Sequence, residues 1–159
     1  MTADQPDGTE EPPPDRRPDA AAFMACWPWN VVDPGSDRVV ATVSHADDPT
    51  WKADGTDCVG RYPDDDFTPT GTAEDGGWPV SEAYADVVRW QSGLDPTAVA
   101  DYVYRHSQPW RTAADLLPER VDGDGRVRWN SNLQWSQAMY VLLVESLVRG
   151  EPFGLAPGR

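Results

Sequence analysis

Apolar side chains recur every three or four residues in three stretches of the chain, as they do along one face of an α-helix. The stretches comprise Val39, Val40 and Val43; Val80, Tyr84, Val87 and Val88; and Val99, Tyr102 and Val103, followed by His106. This spacing predicts three amphipathic helices, each with one face exposed to solvent.

A proline precedes each of the three stretches and marks an expected helix start. The dipeptides are Asp33-Pro34, Trp78-Pro79 and Asp95-Pro96. Aspartate suits the N-cap position and proline the first helical position, where its missing amide hydrogen leaves no bond unmade. We therefore predict helices that begin near residues 34, 79 and 96, the second of them without a side-chain cap.

Residues 133–148 are apolar on nearly every face of the helix that they predict. The large side chains are Leu133, Trp135, Met139, Tyr140, Val141, Leu142, Leu143, Val144 and Leu147. A helix that is apolar all round normally lies in the interior of a helical protein. Gly150 is placed to end it, and Pro152 prevents its continuation. We predict a buried helix here.

Two long polar loops separate the predicted helices, at residues 56–77 and 121–132. Loops of this length in a compact domain are usually functional or disordered, and the aromatic residues and arginines in these loops favour a binding surface. Clear strands are few, although residues 126–129 suit one arm of a small hairpin. The predicted fold class is all-α, with long functional loops.

The two ends of the chain differ from its middle. Residues 1–19 include EEPPPDRRPD and almost no large apolar side chain, so we expect them to be disordered. Residues 20–150 form the predicted folded part, and residues 151–159 a tail.

No apolar run is long enough to span a bilayer, and the acidic start is unlike a signal peptide. These features predict a cytoplasmic protein.

The charge of the chain is strongly negative. Acidic residues number 27 against 13 basic ones, the formal net charge is -14, and Lys52 is the single lysine. Such a surface repels phosphate groups, so nucleic acid and anionic membranes are not expected partners. The composition favours adaptation to high salt, where charge repulsion is screened, over a merely acidic cytosolic protein.

The two cysteines give no sign of a metal site. Cys26 and Cys58 have no second cysteine or histidine at the spacing that metal ligands require. Two free thiols in a reducing compartment are favoured over a disulfide. The sequence predicts neither a metal ion nor another cofactor.

Tryptophan is abundant, with eight residues in 159. Many belong to the core, but Trp78, Trp110 and Trp129 lie in predicted loops beside glycine and hydrogen-bonding residues. Flat aromatic faces beside polar groups suit sugar rings, which are apolar on their faces and polar at their rims. An acidic groove with tryptophans also favours a neutral substrate over an anionic one.

Two further stretches carry candidate chemistry. GRYPDDD, residues 60–66, sets Arg61 beside Tyr62 and three carboxylates that begin at Asp64. It is a solvated acidic turn, a loose cation site with oxygen ligands, or an arginine held by carboxylates that donates to substrate hydroxyls. In LLPERVD, residues 116–122, Glu119 is either an ordinary surface glutamate or a proton acceptor.

Four short motifs occur in a fixed order along the chain. They are GRYPD at residues 60–64, GGWP at 76–79, LPERVD at 117–122 and WSQA at 135–138. Together, and with DPGSDRVVATV upstream of them, they resemble the glucoamylase-type glycoside hydrolases of family fifteen. The resemblance covers about residues 23–147.

The resemblance implies a fold, a reaction and a set of site residues. The fold is a toroid of six helical hairpins, of which this chain would supply a part, with the helix at 133–148 among the inner ones. The reaction is hydrolysis of α-glucosidic bonds with inversion, in which Glu119 would be the general base. The expected substrate-binding residues are Arg61, Tyr62, Asp64, Trp78, Trp129 and Trp135.

The chain departs from the family pattern in three motifs. The family segment Gly-X-Pro-Trp has its last two residues in the other order here, as Trp78-Pro79. The other two departures are single residues. Arg120 replaces a glutamine, and we expect that it can pair with Glu119 and lower the pKa of that carboxyl. Gln137 replaces an aromatic or imidazole side chain. Both changes bear on the choice of substrate more than on the type of reaction.

A general acid is missing from the matched part. The family places it in a Trp-Glu segment, which this sequence lacks, and the nearest surrogates, Glu74 and Asp75, match no motif. The chain also offers about five helices where the toroid needs twelve. We therefore expect the base-carrying portion of an enzyme that needs an N-terminal partner chain. The alternative is a non-catalytic remnant or helical sugar-binding module.

Overall fold

The computed structural model describes residues 18–52, 55–63, 65, 76–124 and 126–154. Its first half contains a 3₁₀ helix at Ala20–Ala25, helix α1 at Asp37–His45, a 3₁₀ turn at Pro49–Trp51, strand β1 at Gly76–Gly77 and helix α2 at Pro79–Ser92. Helix α3 at Ala98–Asp101 then continues into a π-helical turn at Tyr102–His106. Strand β2 at Arg120–Asp122, strand β3 at Val127–Arg128 and helix α4 at Gln134–Arg149 complete it.

The predicted fold class, an all-α partial toroid, is wrong. The three strands form an antiparallel sheet in the order β1-β2-β3, with Gly77 opposite Val121 and Val121 opposite Val127. Strands of two or three residues are too short to give a period-two pattern, and two consecutive glycines argue against a strand on propensity alone. The described part is therefore a mixed fold in which a small sheet joins the helices.

Helix α2, and not α4, lies at the centre. Every residue from Pro79 to Arg89 is buried, and α2 packs against the first 3₁₀ helix, α1, α3 and α4. The predicted solvent-exposed face of α2 is wrong because its polar side chains find partners inside the protein. Glu82 and Asp86 both accept hydrogen bonds from Arg89, at 2.9 and 2.6 Å.

Helix α4 lies at the surface, so the prediction that it is buried all round is also wrong. The residues that it buries are Ser136, Met139, Leu143 and Ser146. Trp135, Val141 and Val148 are 49%, 64% and 79% exposed. Gly150 ends the helix in the left-handed conformation, as predicted, with a φ of +74°.

The predicted helix starts are correct at one proline and displaced at the other two. Helix α2 begins at Pro79. The Asp95 carboxylate accepts a hydrogen bond from the Thr97 amide at 2.8 Å, but α3 begins only at Ala98. Asp33 caps a turn, in which its Oδ1 accepts from the Gly35 amide, and α1 follows at Asp37. Aspartate followed by proline stabilises a turn as readily as a helix start.

The segments predicted as disordered and as a tail lie partly outside the described residues. Asp19, the last residue of the first segment, caps the 3₁₀ helix by accepting from the Ala21 amide at 2.7 Å. In the tail, the Phe153 carbonyl accepts from the Trp27 indole at 2.8 Å, and its amide donates to Ser146 Oγ. Among the described helices, none has the length and apolar character needed to cross a membrane.

Asp122 organises the β2–β3 hairpin. Its Oδ1 accepts from the amides of Asp124 and Arg126, at 3.1 and 2.8 Å, and its Oδ2 accepts from the Arg128 guanidinium, with Nε at 2.8 Å. Burial alone would raise the pKa of Asp122, but the backbone donors and Arg128 together lower it below its ordinary value. The hairpin therefore depends on an ionised carboxylate.

We predict that Asp122→Asn lowers the free energy of unfolding by about 1–3 kcal/mol near neutral pH, because a charged acceptor of several hydrogen bonds is lost. A carboxyl whose pKa is lowered by folding stabilises the protein above its ordinary pKa, and that contribution is lost as the pH falls through the folded-state value. Urea denaturation of both proteins near pH 7 and near pH 3 measures it, and the difference should shrink in acid. Asp124→Asn, at an exposed ion pair with Arg126, is the control. An equal loss in both variants would contradict this role.

Candidate functional site

A cavity of about 380 Å³ opens between the first 3₁₀ helix, the start of α2, the loop before β2 and the start of α4. Five of the seven predicted site residues line it: Arg61, Tyr62, Trp78, Glu119 and Trp135. A sixth, Trp129, packs behind the wall, and the seventh, Asp64, lies outside the described residues. Residues from four separate motifs thus meet at one cavity, which we call the aromatic pocket.

Arg61 is fixed in the wall of the aromatic pocket by Asp65. The buried Asp65 carboxylate accepts from the Arg61 amide at 3.0 Å, from Nε at 2.9 Å and from Nη2 at 2.7 Å. The hydrogen bonds to Asp65 raise the pKa of Arg61. The guanidinium also stacks over the rings of Trp78, at 4.7 Å, and Tyr62, at 5.1 Å. The carboxylate with this role is the second of the three in GRYPDDD, whereas the sequence pointed to Asp64.

Arg61 is one end of a series of stacked side chains. The Trp78 ring meets the Trp129 ring edge-on at 5.5 Å, and the guanidinium of Arg120 lies over Trp129 at 5.3 Å. Trp129 has a φ of +61°, a conformation that is costly for a bulky residue and is maintained by these contacts. These side chains stack in the order Arg61, Trp78, Trp129, Arg120, so that a cation lies at each end and two rings lie between them. We call this series the cation–aromatic stack.

Among the described residues, no ion pair is found between Arg120 and Glu119, although we expected that the two could pair. The buried guanidinium of Arg120 fills the space beside Gly76, where a Cβ atom would overlap it, while Glu119 lines the aromatic pocket. Successive residues of an extended chain direct their side chains to opposite sides, which separates the two. Arg120 therefore supports the rear of the wall.

The backbone on both sides of Glu119 is fixed by hydrogen bonds. The Glu119 amide donates to the Asn130 carbonyl at 2.9 Å, and the Ser136 hydroxyl donates to the Pro118 carbonyl at 3.1 Å. The side-chain Nε2 of Gln137 donates to the Leu117 carbonyl at 2.6 Å. Gln137 therefore holds the loop that presents Glu119, a role that its place in the motif did not reveal.

Trp135 and Tyr84 form the opposite aromatic wall. The Trp135 indole donates to the Tyr84 hydroxyl at 3.0 Å, and their rings meet edge-on at 6.2 Å. Burial raises the pKa of Tyr84, so its hydroxyl stays protonated. Half of Trp135 is exposed, which leaves part of the ring open to a ligand. Tyr84 was assigned only to a helix core from its spacing, and its place in the site was missed.

Asp19 is the second carboxylate of the aromatic pocket, and the sequence interpretation missed it. It accepts from the Ala21 amide and lies close enough to Arg61 for its charge to help raise the pKa of that guanidinium. The available signal was an aspartate immediately before the apolar run that starts at Ala20, which is the pattern of an N-cap. Glu74 and Asp75, considered from the sequence as surrogate acids, lie outside the described residues.

Trp110 does not belong to the aromatic pocket, contrary to the interpretation of its loop. It is buried against Tyr102, with the ring centroids 6.0 Å apart. The aromatic residues that do line the pocket are Tyr62, Trp78, Tyr84 and Trp135. The motif positions identified Tyr62, Trp78 and Trp135, whereas the abundance of tryptophan did not distinguish site residues from core residues.

No family model, curated protein or solved structure matches this chain. The resemblance to family-fifteen hydrolases therefore rests on the four motifs and the stretch upstream of them. What the geometry adds is that residues from these motifs, far apart in sequence, lie around the same cavity.

We predict that Asp65→Asn lowers the free energy of unfolding by about 1.5–3 kcal/mol, because the replacement cannot accept the same charged hydrogen bonds from Arg61. Thermal and urea unfolding measure the loss. The exposed Asp57→Asn, on the same loop, should change stability by less than about 0.5 kcal/mol. Similar stability of the two variants would show that Asp65 does not anchor the wall.

Proposed function

We propose that the aromatic pocket binds the terminal ring of a neutral oligosaccharide with an α-glucosidic bond, and that Glu119 is the general base in the inverting hydrolysis of that bond. The observation that carries the proposal is the convergence of Arg61, Trp78, Glu119 and Trp135 on one cavity of about 380 Å³. That volume lies within the range of small-molecule sites.

The lining of the aromatic pocket matches the chemistry of a sugar. The rings of Trp78 and Trp135 offer flat surfaces to the C–H faces of a pyranose. Arg61 is a donor in a fixed orientation, while Asp19 and Glu119 are acceptors for hydroxyl groups. The excess of acidic residues over the whole chain disfavours phosphorylated or carboxylated ligands. The substrate that we propose is therefore uncharged.

Inverting hydrolysis needs two carboxyl groups with different tasks. One, as carboxylate, takes a proton from the attacking water, and the other, as acid, protonates the leaving oxygen. Glu119 is accessible from the pocket and suits the first task. Asp19 accepts from the Ala21 amide at 2.7 Å and lies near Arg61, a placement that suits it to hold a substrate hydroxyl. The general acid is therefore proposed to come from an N-terminal partner chain.

A second candidate function follows from the same observation. Among the described residues, Asp19 and Glu119 are the carboxylates that line the aromatic pocket, and the proposal gives neither of them the role of general acid. A sugar-binding module without hydrolase activity would need no more than this. In either case we propose a cytoplasmic location, which the two free buried cysteines support.

We predict that the chain binds maltose and that Trp135→Ala weakens binding about fivefold, since loss of an aromatic platform removes on the order of 1 kcal/mol. Isothermal titration with maltose, isomaltose and trehalose measures the affinities and ranks the linkages. Trp29→Ala is the matched control, because Trp29 is 61% exposed and does not line the pocket. Binding that is absent, or weakened equally by both substitutions, would refute the sugar site.

We predict that Glu119→Gln leaves maltose affinity within about threefold but lowers hydrolysis by about 10²–10⁴-fold, because the amide cannot accept the proton from water. The assay is glucose release from maltose and starch by the chain alone and mixed with a candidate acid-bearing partner chain. The anomer released, followed by NMR, should be β, as inversion requires.

The outcomes separate the two candidate functions. Hydrolysis that survives Glu119→Gln would refute the base assignment. Maltose binding without hydrolysis in any mixture would favour the binding module, and folded protein without binding would exclude both. Glu145→Gln, on the surface helix α4, is the control for a change of one charge.

A further inference from the structure

A second cavity, of about 400 Å³, lies away from the aromatic pocket. His106 lines it, together with Trp110, Asp57 and Asp124. Neither the four motifs nor the proposed function uses these residues. Arg105 also lines this cavity, and His106 belongs in addition to a buried group of ionisable side chains on α2.

Glu82, Asp86 and His106 form a compact cluster. Glu82 and Asp86 are four residues apart on α2 and so share one face of the helix. His106 ends the π turn that packs against α2. One donor atom from each of the three side chains lies within 4.8 Å of the other two. Single π turns inside helices occur frequently at functional sites.

Two buried atoms of the cluster have no hydrogen-bond partner within the described part of the chain. Asp86 is 2% exposed, and while its Oδ1 accepts from Arg89 at 2.6 Å, its Oδ2 accepts from none of the described donors. His106 Nδ1 is likewise buried and unbonded there. Buried polar atoms normally have a partner, so both point to a further ligand.

The charges around the cluster favour a cation. Glu82, Asp86 and Asp47 all contact Arg89, at 2.9, 2.6 and 2.8 Å. Lys52 lies 3.8 Å from Asp47. These three carboxylates therefore outnumber the two cations, Arg89 and Lys52.

We propose that Glu82, Asp86 and His106 bind a divalent transition-metal ion of the Zn²⁺ class. Two carboxylates and an imidazole are a common ligand set for such ions, whereas Mg²⁺ and Ca²⁺ prefer oxygen ligands alone. Binding requires the charged form of Asp86, so any proton that it carries is released to solvent. Arg89 orients both carboxylates from the second coordination shell.

Isothermal titration of the full chain with Zn²⁺ alone tests the site. We expect one saturable site whose affinity falls at mildly acidic pH, because protons compete for the ligands. Asp86→Asn and His106→Gln should each weaken it at least tenfold. The chain has two histidines, and His45→Gln is the matched control, since His45 is exposed on α1. Circular dichroism establishes that each variant is folded.

A second readout separates a built site from adventitious surface binding. Co²⁺ in the same site should give visible d–d absorption that Zn²⁺ removes and that His106→Gln lacks. If Asp86→Asn does not fold, His106→Gln alone decides the matter, because its side chain is only partly buried. Absence of Zn²⁺ binding would overturn the proposal in favour of a proton shared by Glu82 and Asp86. Equal losses in His45→Gln and His106→Gln, or no loss in His106→Gln, would also overturn it.

Discussion

The buried ion group on α2 is the interaction on which the remaining structure depends. Glu82 accepts from the Val59 amide at 2.8 Å, which ties the loop that carries Arg61 to the central helix. Arg89 reaches Asp47, just after α1, at 2.8 Å. Burial alone would lower the pKa of Arg89, but the surrounding carboxylates raise it, so the guanidinium stays charged. Removal of one partner would leave an uncompensated buried charge, which typically costs 3–5 kcal/mol.

This network explains why the sequence indicated the wrong central helix. An analysis of hydrophobic periodicity assigns charged positions to the solvent-exposed face of a helix. It therefore predicted an exposed face of α2 that includes Glu82, Asp86 and Arg89. They instead satisfy one another inside the protein. The apolar residues of α4 gave the opposite error, since Val141 and Val148 remain exposed. Local signals were more reliable, because Pro79 and Gly150 act through their own backbone geometry.

In the candidate site, too, local sequence motifs were informative, whereas residues placed by tertiary packing were not predicted. The motifs identified Arg61, Trp78, Glu119 and Trp135, which share one cavity although more than seventy positions separate the first from the last. They did not reveal Asp65, Asp19 or Tyr84, whose places depend on how distant segments pack. Nor did linear spacing reveal the cluster of Glu82, Asp86 and His106, because its members come from two helical segments. Partners that meet only through tertiary structure leave no pattern along the chain.

The fit between Gly76 and Arg120 constrains how this protein can vary. Glycine is needed at position 76 because the neighbouring strand directs a buried guanidinium into the space that a side chain would occupy. With the shorter glutamine at position 120, that requirement would ease, and the stack behind Trp129 would lose its outer cation. The two positions therefore form an epistatic pair, in which the tolerance of one to substitution is set by the residue at the other. A substitution at position 120 would therefore change which residues position 76 can accept.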